Sequence, residues 1–169
     1  MRLPSAPAPV LSPTGHYAAV LQDNLAAIVA TTTGRRVDVA LPAPGHDAAF
    51  DPDDGRVALC VGNQVALLSV AKPVWPDVGA AQLPGSLFRM ALGADFLAAV
   101  VRSSARTMSL CAWRIEGGAL VPLGDPAGRD MGAVAAHTLL LDDARRRVLV
   151  AGVRGAHALA GDGKPFTGL

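Results

Sequence analysis

Apolar residues in this chain come in runs of four to eight, and nearly every run is closed by Gly, Pro, Asp or Asn. The pattern predicts strands over 17–21, 26–31, 36–41, 57–61, 65–70, 96–102, 108–115, 119–123, 138–141 and 148–153. Thirteen prolines and eighteen glycines leave little room for helices of about ten residues. One stretch, "MGAVAAHTLLLDDARRR" over 131–147, also admits a helix, because Ala, Leu and Arg are good helix formers. Strand alternation places Val57, Leu59, Val65, Leu67, Phe96, Ala98, Val100, Leu110, Leu149 and Ala151 in the core.

The runs repeat. Units over 10–42, 45–84, 86–126 and 131–169 pass through the same order of turn, strand, tight turn, strand, turn and weaker strand. Ser12 and Asp51, which open the matching turns of the first two units, are 39 residues apart. A period near 40 with four strands per unit is that of a β-propeller blade. The expected fold is therefore all-β, a single propeller-type domain of about four blades, or part of a larger six- to eight-bladed ring. The last unit runs out at "GDGKPFTGL", one strand short. The first ten residues are a poor donor for that strand, since Pro4, Pro7 and Pro9 remove three amides. An incompletely closed ring is expected, with an exposed strand edge that another chain, or sequence beyond these 169 residues, would cover.

The second unit carries a resemblance. Gly45-His46, the Phe50-Asp51-Pro52-Asp53-Asp54-Gly55 turn and Arg56-Val57-Ala58-Leu59 resemble the start of a WD40-type repeat. The sequence departs from that family in having no Trp-Asp at the end of a third strand. The corresponding ends read Ser69-Val70 and Trp113-Arg114, and Asn63 stands near the family's turn aspartate. The chain is thus similar to WD40-like or related propellers, which implies a scaffold that binds other proteins through loops and faces. The alanine-rich divergence is similar to propellers that serve as a component of bacterial multi-protein systems with ATPase and von Willebrand A–type partners.

Charge adds exclusions. The net charge is +1, so no basic field recruits nucleic acid or anionic lipid. Thirteen of fifteen basic residues are Arg and thirteen of fourteen acids are Asp, a balance that suits turns rather than helix surfaces. Apolar stretches such as "FLAAVV" (96–101) fall far short of the roughly 20 residues of a spanning helix. The start has no apolar segment of the secretory kind. Cys60 and Cys111 lie inside apolar runs and read as buried free thiols, which points to a reducing cytoplasm.

Chemistry is sparse. His16, His46, His137 and His157 are dispersed, with no metal-ligand spacing, and Glu116 is the single Glu. "DPDDG" lacks the spacing and distal Glu of a calcium loop, so Asp51 to Gly55 reads as a tight turn without a ligand, Gly55 taking the positive angle. Arg145-Arg146-Arg147 follows Asp142-Asp143 and reads as a solvated, self-neutralising turn. No catalytic, metal or cofactor-binding residue is expected. The candidate interaction anchors are Trp75, Arg102 and Arg106; for Trp75, between two prolines, packing over the neighbouring unit is the first reading and a contact the second. The expected function is a non-catalytic interaction module with another protein chain as partner. The alternative is a ligand- or metal-binding propeller enzyme of the hydrolase or lactonase type, with its site in the central channel.

Overall fold

The computed structural model describes residues 8–76, 80–102, 107–131, 136–142, 147–152 and 155–160. Among them there is no helix, and the strands form four antiparallel sheets, each laid down in chain order. The first holds β1 (Val10–Leu11), β2 (Tyr17–Gln22), β3 (Leu25–Ala30) and β4 (Arg36–Ala40). The second holds β5 (Gly45–Phe50), β6 (Arg56–Val61), β7 (Gln64–Ser69) and β8 (Ala81–Gln82). The third holds β9 (Ser86–Leu92), β10 (Phe96–Arg102), β11 (Met108–Glu116) and β12 (Ala119–Pro122), with β13 (Arg129–Asp130) added to β11. The fourth holds β14 (Ala136–Asp142), β15 (Arg147–Gly152) and β16 (Gly155–Ala160). The helix reading of 131–147 is thereby corrected for 136–142, which pairs as a strand with β15. Ala and Leu are good helix formers, but a sheet ladder overrides that weak local preference.

The core is divided into three layers, each between two consecutive sheets. Ala19, Ile28 and Val39 of the first sheet meet Phe50, Val57, Leu59 and Leu68 of the second. Ala58, Cys60 and Val65 of the second meet Leu97, Ala99, Val101 and Trp113 of the third. Ala98, Val100 and Leu110 of the third meet Val148 and Val150 of the fourth. Successive residues of β6 and β10 therefore point to opposite neighbours and are buried on both sides. That is why these strands read as unbroken apolar runs rather than as alternating ones.

Seven of the ten residues expected in the core are buried: Val57, Leu59, Val65, Phe96, Ala98, Val100 and Leu110. The other three are corrections. Leu67 and Leu149 are half-buried and Ala151 is exposed, whereas their neighbours Leu68, Val148 and Val150 are buried. In the fourth sheet Leu149 and Ala151 face away from the third sheet, on the side opposite Val148 and Val150.

The first strand of each sheet touches the first strand of the next, β1 on β5, β5 on β9 and β9 on β14, so these strands lie nearest the propeller axis. The sheets touch in chain order, and among the described residues the fourth does not return to close on the first. The strand-edge argument built on residues 1–7 and 161–169 lies outside the described residues.

Candidate functional site

Three of the axial strands share an irregularity. In β5 the ladder passes from Gly45–Val61 to Asp47–Cys60 and leaves His46 unpaired. In β9 it passes from Leu87–Val101 to Arg89–Val100 and leaves Phe88 unpaired. In β14 it passes from Ala136–Gly152 to Thr138–Ala151 and leaves His137 unpaired. The partner positions are equivalent in the three sheets, so the extra residue falls at one level of the axis each time. A bulge re-aims its side chain and is over-represented at barrel rims and next to sites. His46 is exposed and Phe88 is 42% exposed. Each bulge is followed by a residue of the ladder: Asp47, Arg89 and Thr138. Burial pushes the Asp47 carboxyl above the usual carboxylate range, and the Ala48 N–H and the Arg89 guanidinium oppose that shift. The Ala48 amide donates to Asp47 Oδ1 at 2.9 Å. None of this bulge row was legible in the sequence, where a single unpaired residue leaves no mark on an apolar run.

A second cluster joins the turns between the first and second strands of successive sheets. Ser12 Oγ donates to Asp54 Oδ2 at 2.9 Å, and Thr14 Oγ1 donates to the same oxygen. His16 Nδ1 lies 3.7 Å from it. Asp51, 3% exposed, accepts from the Arg56 amide at 3.1 Å and from Arg56 Nε at 2.9 Å. Arg56 then reaches the Ala94 carbonyl in the matching turn of the third sheet. The chain of bonds thus runs from sheet to sheet along one rim. The 51–55 turn is as tight as expected, but Asp54 and not Gly55 takes the positive φ, at 57°. That left-handed geometry is tolerated by Asp better than by most side chains, and it turns Asp54 back toward the first sheet.

Ser, His and Asp together invite a hydrolytic reading, and the bonding rejects it. A serine nucleophile needs a base on its own hydroxyl. Here Ser12 donates to Asp54 and accepts from the Tyr17 amide at 3.1 Å, while His16 Nδ1 lies 3.7 Å from that same carboxylate oxygen. The cluster is an inter-sheet clamp. Asp54 Oδ1 is buried beside it without a hydrogen-bond partner among the described residues.

The thiols are equally quiet. Cys60 and Cys111 are free and buried. Burial pushes both up to about 12, with the carboxylates of Asp47 and Asp125 respectively adding to it. A thiol that does not ionise is a poor nucleophile. Cys111, Trp113, Ala81 and Leu120 line a shallow cavity of about 280 Å³ between the second and third sheets. Among the described residues, no three His, Cys, Asp or Glu side chains lie close enough together to hold a metal ion.

Of the anchors read from the sequence, Trp75 and Arg102 lie among the described residues. Trp75 is half-buried and packs on the layer between the first and second sheets. Arg102 is exposed at the end of β10, paired in the ladder with Met108 and Ser86. Arg106 lies outside the described residues, as do Arg145 and Arg146 of the basic run. No helix among the described residues is long and apolar enough to cross a membrane.

No family model and no curated protein matches the chain in sequence. Solved structures match it in fold. Hsv2 of Kluyveromyces lactis superposes with a TM-score of 0.64 at 13% identity, over 98% of this chain and 51% of its own. The dihydro-heme d1 dehydrogenase NirN, solved in complex with DHE, gives 0.58 at 13% identity, over 95% of this chain and 36% of its own. Hydrazine synthase of Kuenenia stuttgartiensis gives 0.58 at 11%, over 85% and 42%. All three are β-propeller proteins, and this chain has a propeller-type fold. It spans between about a third and a half of the length of these structures.

Proposed function

We propose that the chain is a non-catalytic interaction module of the WD40-like kind, working in the cytoplasm as a component of a bacterial multi-protein system, and that its partner is another protein chain. One observation carries this reading: the sheets at the two ends of the open ring present apolar side chains to solvent at their axial strands. Leu11 in β1 is 62% exposed and Leu140 in β14 is 56% exposed. Apolar residues on a free sheet face mark a surface that another protein covers. Arg102, exposed at the end of β10 in the third sheet, would be a separate point of contact.

The test is photo-crosslinking in the native host, with a benzophenone amino acid placed at Leu11, at Leu140 and, as control, at the outer-strand residue Val121. The expected result is a protein adduct from positions 11 and 140 and none from 121. Adducts from neither end would overturn the interaction reading.

A ligand- or metal-binding propeller enzyme is the second reading, favoured by the three bulges at one level of the axis. Stoichiometric calcium or zinc in protein purified from the native host would support it against the first.

A further inference from the structure

The layer between the first and second sheets is filled differently at its rim from the layer that follows it. A step of 39 residues carries Ser12 to Asp51 and Tyr17 to Arg56. In the second sheet Asp51 holds Arg56 at 2.9 Å, and the guanidinium crosses to the Ala94 carbonyl of the third sheet. The first sheet has Ser12 and Tyr17 in those places. Ser12 bonds Asp54 of the second sheet, and Tyr17 lies half-buried against the layer. Where Arg56 crosses the second layer, the first layer has a cavity of about 310 Å³ beside Tyr17.

The floor of this cavity is apolar. Tyr17, Ile28, Val37 and Val70 line it, and Ile28 and Val70 belong to the buried core. One wall is polar, made by Thr33 and Arg35 of the turn between β3 and β4. Backbone bonds fix that turn. The Ala30 N–H donates to the Arg35 carbonyl and the Gly34 N–H to the Ala30 carbonyl, each at 2.8 Å. The Thr31 amide donates to the His16 carbonyl at 2.9 Å, and Thr31 Oγ1 to the Gly15 carbonyl at 2.6 Å. Gly34 supplies the positive φ of 68° that the tight return needs.

Arg35 is the unusual member of the wall. Strand alternation puts it in line with Val37 and with Val39, which is buried in the same layer. Its neighbour Arg36 is neutralised by Asp38 at 2.6 Å. Arg35 has no acidic partner among the described residues. Its guanidinium therefore brings a planar fork of donors, and a charge that no protein group balances, to the mouth of an apolar cavity. Thr33 Oγ1 accepts from the Arg35 amide at 3.3 Å, which leaves the hydroxyl proton to donate.

We infer that this cavity binds a singly charged organic carboxylate with a compact apolar body. The carboxylate sits on Arg35 and Thr33, and the body on the floor of Tyr17, Ile28, Val37 and Val70. A carboxylate matches the guanidinium fork in plane and spacing. One cation balances one negative charge, whereas a phosphate dianion would leave a second charge beside the apolar floor. The cavity holds about ten water-sized groups at ~30 Å³ each. The body is thus limited to a branched aliphatic chain or a single aromatic ring. The site shares no residue with the surface proposed above and does not rest on the interaction reading.

Methyl NMR of the full chain tests this with two probes, 4-methylpentanoate and phenylacetate. Both should move the Ile28, Val37 and Val70 methyl signals saturably at about millimolar concentration, as befits ligands of so few atoms. Val150, in the layer between the third and fourth sheets, should not move. Phenylacetamide keeps the ring without the charge and should bind at least about tenfold more weakly, as should phenyl phosphate. Arg35→Gln should weaken both acids by about tenfold or more. The variant's denaturant midpoint should be unchanged, since Arg35 is exposed.

A peptide ending in leucine distinguishes the source of the carboxylate. Tighter binding of its free-acid form than of 4-methylpentanoate, with no binding of its C-terminal amide, assigns the terminus of a protein chain. The reverse order assigns a free acid, and either result supports the site. The inference is overturned by the absence of a saturable shift with either acid up to about 10 mM. Equal binding of amide and acid, tighter binding of phenyl phosphate, or full binding by folded Arg35→Gln overturns it equally.

Discussion

Strands β10 and β15 occupy equivalent places in the third and fourth sheets, each the second strand of its ladder, yet they are buried differently. Phe96 through Val101 are all buried in β10. In β15 Val148 and Val150 are, while Leu149 is half-buried and Ala151 exposed. The residue types hardly differ. What differs is that the third sheet has a neighbour on each face and the described fourth sheet has one. Burial in a stack of sheets is set by the stack, and an end sheet carries the same apolar residues as an inner one without the partner that would cover them.

The comparison is broken most directly by deleting the same side chain in both places. Leu97 is fully buried between the second and third sheets. Leu97→Ala should cost about 2–5 kcal/mol, the usual range for an alanine cavity in a core. Leu149→Ala, half-buried, should cost under about 1.5 kcal/mol, because less area leaves contact. Urea denaturation measures both. Equal losses would mean that the outward face of the fourth sheet is covered as fully as an inner layer.

A smaller effect separates the two Asp–Arg turns. The Asp51 side chain is 4% exposed against 22% for Asp142, and Asp51 leads through Arg56 to a carbonyl of the next sheet. Asp51→Ala strands a half-buried guanidinium and should cost about 1–3 kcal/mol. Asp142→Ala should cost less than about 1 kcal/mol, as a partly solvated pair does. Denaturant midpoints decide it, and the reverse order would show that the sheet-to-sheet bond adds nothing.

How much of this was readable in advance follows the same division. The strands of the repeats stand in the sequence because turn residues bracket each apolar run. Ser86–Leu92 was missed as a strand because Phe88 and Arg89 break its pattern at the bulge. Gly45–Phe50 was missed because Gly, His and Asp open it. Core positions were legible where a strand is buried on both faces, since either choice of face is then correct. They failed in β15, where one face is free and the register must be known. The turn at 51–55 was legible as a turn, but its role was not. That Asp54 would face Ser12 and Thr14 depends on two sheets meeting, which no local pattern encodes. The anchors Trp75 and Arg102 rest on residue type, which does not say which face of a sheet a position occupies.

The smallest expected effect concerns Asp47, which sharpens the contrast because it ionises within an inner layer, whereas the equivalent position of the fourth sheet holds Thr138. Burial raises the Asp47 carboxyl above its ordinary value of 3.8. An acid whose folded-state pKa is raised binds its proton more tightly in the fold than in the unfolded chain. Well below pH 3.8 both states are protonated, and the group adds no pH dependence. As pH rises through the unfolded value toward the folded one, the unfolded chain ionises first and stability falls. Above the folded value the loss is complete and constant. Asp47→Asn keeps an acceptor for the Ala48 amide and removes the ionisation. The variant should be more stable than the wild type at pH 7, and the difference should vanish as pH falls below 3.8. Denaturant midpoints at pH 3, 5 and 7 give the comparison. A variant less stable than the wild type at pH 7 would mean that attraction to Arg89 outweighs the cost of burial, and that the axial strands hold Asp47 as an ion. A difference of the same size at every pH would place the effect in packing and remove ionisation from the account.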